Sequence, residues 1–473
     1  MADKPAPSVF DNVLADLGRL AGFFSGSHVP HSVEHLSTIS KFTAWVADWG
    51  ISRPLVLFPM YFVMVAVTLI QVPNFFVLAS SWIILLFPVW APVAAIFSFV
   101  RIWQWYVWSM YLATRSTVVL EVRMPRDVMK SPRAMEAAFT SMWTSGGETT
   151  FIDRGYSGKM RPFFSFEIAS IGGEVHFYIW TWKSMKDVIE AHIYAQYPEV
   201  EIHEVEDYAS RFVYDPNEYD LFANDIVPDY EKYGVVPIKT YIDYELDKDP
   251  KEEFKIDPLA HVVEILSTLK GSEQAWIQII VTACKGGAER SFLEKCQEKV
   301  QEIRREASVN PGMEKADEDD PDRYGFPRPT WAQNEQIFAI QRHMGKRIFF
   351  AGIRLCYFAK VKEYRPEVRS NIRYAFLPFS SRNLNLLKPT RWHGPFDYPW
   401  QDFKGVRFRM VTRRFLDAYR RRSWFYPPWT TPHYHLSAES LASLWHPPGA
   451  TVKSPGLQRI PSTKSEPPPN LPM

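Results

Sequence analysis

Seven arginines lie within sixteen residues near the carboxyl-terminal end of the chain, interleaved with aromatic side chains: Arg407, Arg409, Arg413, Arg414, Arg420, Arg421 and Arg422. Guanidinium groups at this density can bind the phosphates of anionic lipid headgroups or nucleic acid, or an acidic protein surface. We favour lipid or protein over nucleic acid, because a charge run alone is weak evidence for a nucleic-acid site. The alternative is a solvated helix face paired with carboxylates such as Asp397, Asp402 and Asp417, or with the acidic loop Glu314–Asp322.

Other residues that could perform chemistry do not form a recognisable set. The candidates are His28, His31 and His35, the pair His433 and His435, and the carboxylates Asp243 and Glu245. The first three histidines could share a helix face and bind a metal, but Pro30 interrupts the turn and no further ligand accompanies them. The second pair lacks a third ligand. The two carboxylates share one face of a predicted strand, as a surface pair would.

Motifs of nucleotide, cofactor and protease chemistry are absent from the sequence. There is no G-x-x-x-x-G-K-[ST], no G-x-G-x-x-G, no G-x-S-x-G and no H-E-x-x-H. The dipeptide His203-Glu204 is not followed by the second histidine of a zinc protease. We therefore predict no catalytic residue, no metal and no cofactor, and interpret the protein as non-enzymatic.

Overall composition limits the electrostatic and redox interpretations. The 473 residues include 54 basic and 53 acidic side chains, for a net charge of +1, so only local clusters can attract a polyanion. Three widely separated cysteines favour a reducing compartment over a disulfide framework. The amino-terminal segment lacks the pattern of a cleaved signal peptide.

The most apolar stretch of the chain contains no ionisable side chain between Arg53 and Arg101. Leu55–Val72 and Phe75–Val100 each reach the length of about 20 residues that crosses a bilayer. We therefore predict a two-helix transmembrane hairpin over residues 54–112. A buried helical pair inside a soluble domain is the alternative, but charge-free runs of this length are rare in soluble cores.

The charges around this stretch predict its orientation. Lys41 and Arg53 precede it and Arg101 and Arg115 follow it, whereas the turn between the two spans carries no charge. The positive-inside rule then places both termini and the later domains on the cytoplasmic side of the inner membrane. Residues 1–53 include a predicted amphipathic helix at 8–24 that would lie on the bilayer surface.

The segments after the hairpin predict an α+β fold with two ferredoxin-like units. Residues 117–210 show the order β-α-β-β-α-β, with a helix start at Ser131-Pro132 and a two-residue turn at Gly172-Gly173. Residues 235–390 show the same order, opening with a strand at 239–246 and a helix start at Asp257-Pro258, with a charged helical insertion at 285–345. The parallel suggests an internal duplication.

The carboxyl-terminal part changes in composition. Residues 391–446 form a segment rich in arginine, aromatic residues and proline. Residues 447–473 are rich in proline, serine and lysine and poor in large apolar side chains, so we predict a disordered tail.

Several separate stretches resemble a known family. They are LEVRMPRDVMKSPRAMEAAF (120–139), RPFFSFEIASIGGEVHFYIWT (161–181), IEAHIYAQYPEVEIHEVEDY (189–208), GIRLCYFAK (352–360) and ESLASLWHPPGATVKSPGLQRIPSTKSEPPPNLP (439–472). Together they resemble the membrane-anchored amino-terminal region of bacterial conjugation-type, or type IV secretion-like, DNA-translocating ATPases, including a family that consists of this region alone. In the longer relatives an ATPase domain follows the EPPPNLP-like tail, and this chain lacks it, so the resemblance carries over no catalytic residue.

The resemblance implies a membrane-anchored, non-catalytic scaffold or accessory subunit of a DNA-translocation or type IV secretion-like assembly. The expected partners are membrane lipids and a separate P-loop ATPase that docks on the tail; nucleic acid and a second copy of the chain are further candidates. The alternative hypothesis is a stand-alone membrane sensor or lipid-binding protein without an ATPase partner.

Overall fold

The computed structural model describes most of the chain after residue 52. The described residues are 53–71, 74–125, 130–144, 146, 150–229, 235–248, 256–309, 325–390, 396, 398, 400–449, 452 and 454–460. The helix predicted at residues 8–24, the histidines His28, His31 and His35, and the loop Glu314–Asp322 lie outside them. The chain divides into two units, residues 1–76 and 77–473, and each is described by itself.

The helices are numbered in chain order. They are α1 (Arg53–Gln71), α2 (Phe75–Ala113), α3 (Pro132–Met142), α4 (Phe151–Gly155), α5 (Lys186–Gln196), α6 (Tyr208–Arg211), α7 (Pro258–Ser267), α8 (Gly287–Glu306), α9 (Trp331–Met344), α10 (Pro366–Arg373), α11 (Val406–Arg420) and α12 (Ala438–Leu444). Ser131 and Asp257 cap α3 and α7 by accepting hydrogen bonds from backbone N–H groups, and a proline follows each cap. These two predicted helix starts are confirmed.

The strands all belong to one mixed sheet. They are β1 (Thr117–Pro125), β2 (Phe163–Ile171), β3 (Glu174–Trp182), β4 (Glu201–Val205), β5 (Tyr219–Pro228), β6 (Gln274–Ala283), β7 (Ile348–Lys360), β8 (Leu387–Pro389), β9 (Tyr434–Ser437) and β10 (Arg459–Ile460). The order is β10-β1-β3-β2-β6-β7-β5-β8, with β4 also pairing β1 and β9 also pairing β7. The pairs are antiparallel except β1 with β10.

The prediction of two ferredoxin-like units was wrong, because the strands form one continuous sheet. The order is the same in each half, β4-β1-β3-β2 and β8-β5-β7-β6, but β2 and β6 pair along their whole length, from Phe163 with Thr282 to Ile171 with Gln274. No edge therefore separates the halves. The strand that opens the second half is β5, which precedes the predicted one. The segment 239–246, predicted as that strand, consists largely of turns.

The prediction of a two-helix transmembrane hairpin was also wrong. Among the described residues, one helical segment is long and apolar enough to cross a membrane, Ile84–Ala113 in α2. Its most apolar window has a mean hydropathy of 1.9, and none of that window is buried. In α1, the run between the charged Arg53 and the polar Gln71 is only at the lower limit of a span. The 39 residues of α2 extend about 58 Å, nearly twice the hydrocarbon thickness, so its last turns pass into the folded domain.

Two apolar clusters cover the two faces of the sheet. Alternate strand residues face opposite sides: Leu120 packs into the cluster covered by α3, α5, α7, α10 and α12, whereas Val119 packs into the opposite cluster. That second cluster joins α6, α11 and the end of α2 to the sheet. A third cluster joins α8 and α9, which form most of the insertion predicted at 285–345.

The prediction of a disordered tail was wrong for residues up to 460. Val452 and Leu457 are buried, and β10 pairs in parallel with the end of β1. Gly456 lies so close to the turn between β2 and β3 that an added Cβ would meet the Gly173 carbonyl oxygen at 1.9 Å. Arg459 donates to the carbonyl oxygens of Gly449 and Val452 at 2.8 and 2.7 Å. These contacts offset the entropy cost that the proline-rich composition suggested; residues 461–473 lie outside the described residues.

Candidate functional site

The last turns of α2 are built into the folded domain. Trp108 meets the ring of Tyr426 edge-on at 5.5 Å between centroids, and Tyr111 meets Trp182 at 6.1 Å. Gly158 approaches the helix so closely that an added Cβ would lie 2.6 Å from the Val107 carbonyl oxygen. Trp108 and Tyr111 therefore attach the apolar helix to the sheet.

A cleft of about 580 Å³ opens at this junction. Its walls come from the end of α2, from the adjacent ends of β1, β2 and β3, and from the segment that follows α11. Trp105, Trp180 and Phe425 supply aromatic surface. The charged lining consists of four arginines and two aspartates: Arg115, Arg420, Arg421, Arg422, Asp207 and Asp417. The described lining contains no histidine, cysteine or lysine, so the cleft favours anion binding beside aromatic rings over acid–base or nucleophilic chemistry.

A buried ion network lies beneath the cleft. Arg422 is fully buried and donates from Nε to Glu167 Oε1 at 3.0 Å and from Nη1 to Asp207 Oδ2 at 2.5 Å. Tyr208 donates its hydroxyl to the other oxygen of Glu167 at 2.8 Å, and Gln278 donates to Oε1 at 3.0 Å. Buried charges are tolerated only when they are paired and hydrogen-bonded in this way.

Arg422 and Asp207 both keep their charges. Burial alone would lower the pKa of Arg422, but the Glu167 and Asp207 carboxylates raise it well above its ordinary value. Burial alone would raise the pKa of Asp207, but the hydrogen bond and charge of Arg422 hold that pKa below its ordinary value. The guanidinium therefore serves the domain core, and its position was not predicted by the charge run.

Two further arginines at the cleft, Arg420 and Arg421, are held by nearby oxygens. Arg420 donates from Nε to the Ala209 carbonyl at 3.1 Å and also to the Phe212 carbonyl. Arg421 is more exposed and donates from Nε to Asp417 Oδ1 at 2.8 Å. Both lie near the end of α2 and are positioned to meet an anionic group that enters the cleft.

Arg115 completes the positive lining of the cleft and was not among the predicted site residues. It donates from Nη2 to the Tyr111 hydroxyl at 2.8 Å and lies 4.5 Å from the centroid of that ring. In the sequence, Arg115 stands out because it follows the apolar stretch. That position entered only the predicted orientation of the membrane spans. For Glu167, the signal was a carboxylate inside a strand that is otherwise buried.

The remaining four arginines lie on the outer part of α11, away from the cleft lining. Asp402 accepts hydrogen bonds from the backbone N–H groups of Arg407 and Phe408, both at 2.8 Å, and so caps the helix. Arg414 lies 4.6 Å from the Trp429 ring centroid. Arg409 and Arg413 are exposed, and neither forms an ion pair with another described residue.

The outer face of α11 also exposes apolar side chains. Val406 and Met410 stand four residues apart on this face, and Met410 is 64% exposed. Phe403, in the turn before the helix, is 77% exposed. The opposite face of the helix, including Phe415 and Tyr419, is buried against the sheet. The predicted cluster of seven arginines therefore divides between a cleft at the end of α2 and a basic, partly apolar outer face of α11.

The other candidate residues do not assemble into a chemical site. His433 and His435 pack among aromatic rings, with His435 and Phe292 stacked at 4.5 Å. Asp243 pairs with Arg342 at 2.8 Å, and Glu245 lies on a turn with positive φ. Within the described part of the chain, no group of three or more histidine, cysteine and carboxylate side chains is arranged to hold a metal ion.

Neither a comparison with protein-family models nor one with curated proteins gives a match to this chain. The resemblance to conjugation-type ATPases therefore stays a prediction.

Proposed function

We propose that the protein is a membrane-anchored, non-catalytic scaffold that serves as an accessory subunit of a DNA-translocation or type IV secretion-like assembly and works with a separate ATPase. The observation that carries the membrane part is α2. None of the most apolar part of its segment Ile84–Ala113 is buried, so this part of α2 is not a core helix of the folded domain. Its last turns pack on the sheet through Trp108 and Tyr111. A membrane span of this kind would hold the domain directly at the bilayer surface.

The charges at the base of α2 support the orientation of the folded domain. Arg101 lies in the last third of the helix, and Arg115, Arg420 and Arg421 lie at the cleft beside its end. Positive residues that flank a span favour the cytoplasmic side, where anionic lipids also attract them. We therefore propose that residues 114–460 face the cytoplasm at the inner membrane. The prediction that both termini face the cytoplasm depended on the two-helix hairpin. The present proposal therefore concerns only the folded domain.

The outer face of α11 supports the scaffold role. Exposed apolar side chains at Val406 and Met410 beside the guanidiniums of Arg409 and Arg413, which pair with no carboxylate in the described part of the chain, suit a protein partner with an acidic, partly apolar surface. We propose that a P-loop ATPase subunit docks here in addition to the tail. Nucleic acid and a second copy of the chain stay predictions.

Affinity purification from detergent-solubilised membranes tests the scaffold proposal. The full chain is compared with the variant Met410→Ser/Arg413→Gln and with a matched control, Val361→Ser/Lys362→Gln, which also changes one exposed apolar and one exposed basic residue. A P-loop ATPase should co-purify with the chain and with the control, and about tenfold less with the α11 variant, which corresponds to roughly 1.4 kcal/mol. Recovery of no P-loop ATPase with the full chain would contradict the proposal.

A second candidate function is a lipid-binding protein without an ATPase partner, and the cleft at the end of α2 favours it. Aromatic surface and the three arginines outside the buried network, Arg115, Arg420 and Arg421, suit an anionic phospholipid headgroup. Native mass spectrometry of the purified protein distinguishes the two. Phosphatidylglycerol that is retained by the chain, lost in Arg115→Gln/Arg421→Gln and kept in Arg409→Gln/Arg413→Gln, with no ATPase recovered, would favour the lipid-binding function.

A further inference from the structure

The short helix α4 and the residue that follows it expose three large apolar side chains. Phe151 is 81%, Ile152 66% and Tyr156 73% exposed. The Thr150 hydroxyl accepts a hydrogen bond from the Asp153 N–H at 3.1 Å, so the helix is capped and the exposed set is held in one conformation. Leaving this much apolar surface in water is unfavourable relative to burying it. We call Phe151, Ile152 and Tyr156 the α4 patch.

The α4 patch is fixed to α2 at a defined level along that helix. Trp103 donates its indole N–H to the Gly155 carbonyl at 2.9 Å, and Gln104 donates to the Arg154 carbonyl at 3.0 Å. The Trp103 and Tyr156 rings lie 6.5 Å apart between centroids. The patch therefore cannot move along α2 without breaking two hydrogen bonds.

This level corresponds to one boundary of a bilayer placed on α2. Trp82 and Trp103 are exposed or partly exposed on the helix and stand twenty-one residues apart, which corresponds to about 32 Å of helix against a hydrocarbon core about 30 Å thick. Tryptophans are enriched at both membrane–water interfaces. Because Trp103 contacts α4 directly, the α4 patch lies at the interface when Trp82 and Trp103 mark the two boundaries.

Basic side chains stand close to the patch in the chain or on α2. Arg101 and Arg154 are exposed, and Lys159 forms an ion pair with Asp153 at 2.7 Å while half of its side chain stays exposed. Apolar side chains accompanied by arginine and lysine are typical of segments that lie in the interface of anionic membranes. The chemistry of the patch thus matches a lipid headgroup and acyl-chain boundary.

We infer that α4 inserts Phe151, Ile152 and Tyr156 into the membrane interface, as a second membrane contact beside the α2 span. One helix alone leaves the domain free to tilt relative to the bilayer. A second contact beside the helix restricts that tilt and sets which face of the domain meets the lipid. This inference rests on the proposed membrane anchoring by α2.

Depth-dependent fluorescence quenching tests the inference in nanodiscs of equimolar phosphatidylcholine and phosphatidylglycerol that carry a lipid spin label near the headgroup or deep in the acyl chain. Single labels are attached at Val93→Cys in α2, at Ile152→Cys in the patch and at Lys362→Cys. Residue 362 follows β7, whose thirteen residues span about 40 Å from the end near the cleft. The three native cysteines are buried and should not react in the folded protein.

We expect the label at residue 152 to be quenched severalfold more by the shallow spin label than the label at 362, and the label at 93 to be quenched most by the deep one. Quenching at 93 without quenching at 152 would overturn the inference and leave the α2 anchor standing. An absence of quenching at 93 would overturn the anchor itself. A label at 152 that is shielded from water but not quenched by lipid would show that protein, such as a second copy, covers the patch, and would also overturn the inference.

Discussion

At the scale of single residues, the arginine cluster shows that a charge run in sequence does not correspond to one surface. Arg421 and Arg422 are neighbours in the chain, yet the first is exposed and the second is fully buried with Glu167 and Asp207. Arg422 adopts a positive φ of 50° at the end of α11, and its side chain points into the core instead of continuing the helix surface. Their contributions to stability should therefore differ strongly.

We predict that Arg422→Met lowers the free energy of unfolding by about 3–5 kcal/mol, because it leaves Glu167 buried without its cation. Urea unfolding of the detergent-solubilised chain measures this change. Arg421→Met is the control and should cost less than about 1 kcal/mol, because its pair with Asp417 is exposed. The double variant Glu167→Gln/Arg422→Met should recover part of the loss; equal stability of both single variants would contradict the assignment.

A second prediction concerns His435. Burial, followed by the charges of His433 and Lys295, lowers its pKa to about 4 from an ordinary value of 6.5. Below pH 6.5 the unfolded chain therefore binds a proton at this histidine, whereas the folded chain binds it only near pH 4. The free energy of unfolding falls as the pH drops from 6.5 to 4. His435→Gln should flatten the fall between pH 6.5 and 4 in unfolding measurements. The same substitution at the exposed His261 is the control, and an unchanged slope in His435→Gln would contradict the prediction.

At the scale of elements, local signals predicted well and pairing between distant segments did not. Ser131-Pro132, Asp257-Pro258 and the turn at Gly172-Gly173 are confirmed because a cap or a hairpin turn depends on a few adjacent residues. The pairing of β2 with β6 joins residues more than a hundred positions apart, and neither strand carries a local mark of its partner. Both strands are buried on both faces, so either could be read as a strand of a separate unit.

The tail gives an element-scale prediction. A chain that ends after Ile460 should keep the stability of the full chain, because β10 and its contacts remain. A chain that ends after Gly449 loses the buried Val452 and Leu457 and should be less stable by about 3 kcal/mol or more. Thermal unfolding of the two truncations measures the difference. If both chains unfold at the temperature of the full protein, β10 contributes nothing to the fold.

At the scale of the whole molecule, the sequence identified the α+β composition and the apolar segment but not the way they join. Composition and hydropathy located the stretch that contains α2, whereas the hairpin interpretation treated the polar break Gln71–Asn74 as a turn between two spans. The cleft could not be predicted, because its lining comes from α2, three strands and the end of α11, which only the fold brings together. The arginines at positions 420–422 were the part of the site visible in the sequence.

Because α2 packs on the sheet, the membrane helix and the folded domain should move together as one rigid body. Only three residues separate Ala113 from Thr117, and Tyr111 contacts Trp182 at the same end of the sheet. Membrane helices tilt by about 20° on average, and the tilt changes with bilayer thickness. A tilt of that size would carry the far end of the sheet, about 40 Å away, sideways by about 14 Å. The α4 patch would then restrict this tilt. The thickness of the membrane would set the position of the outer face of the domain relative to the bilayer.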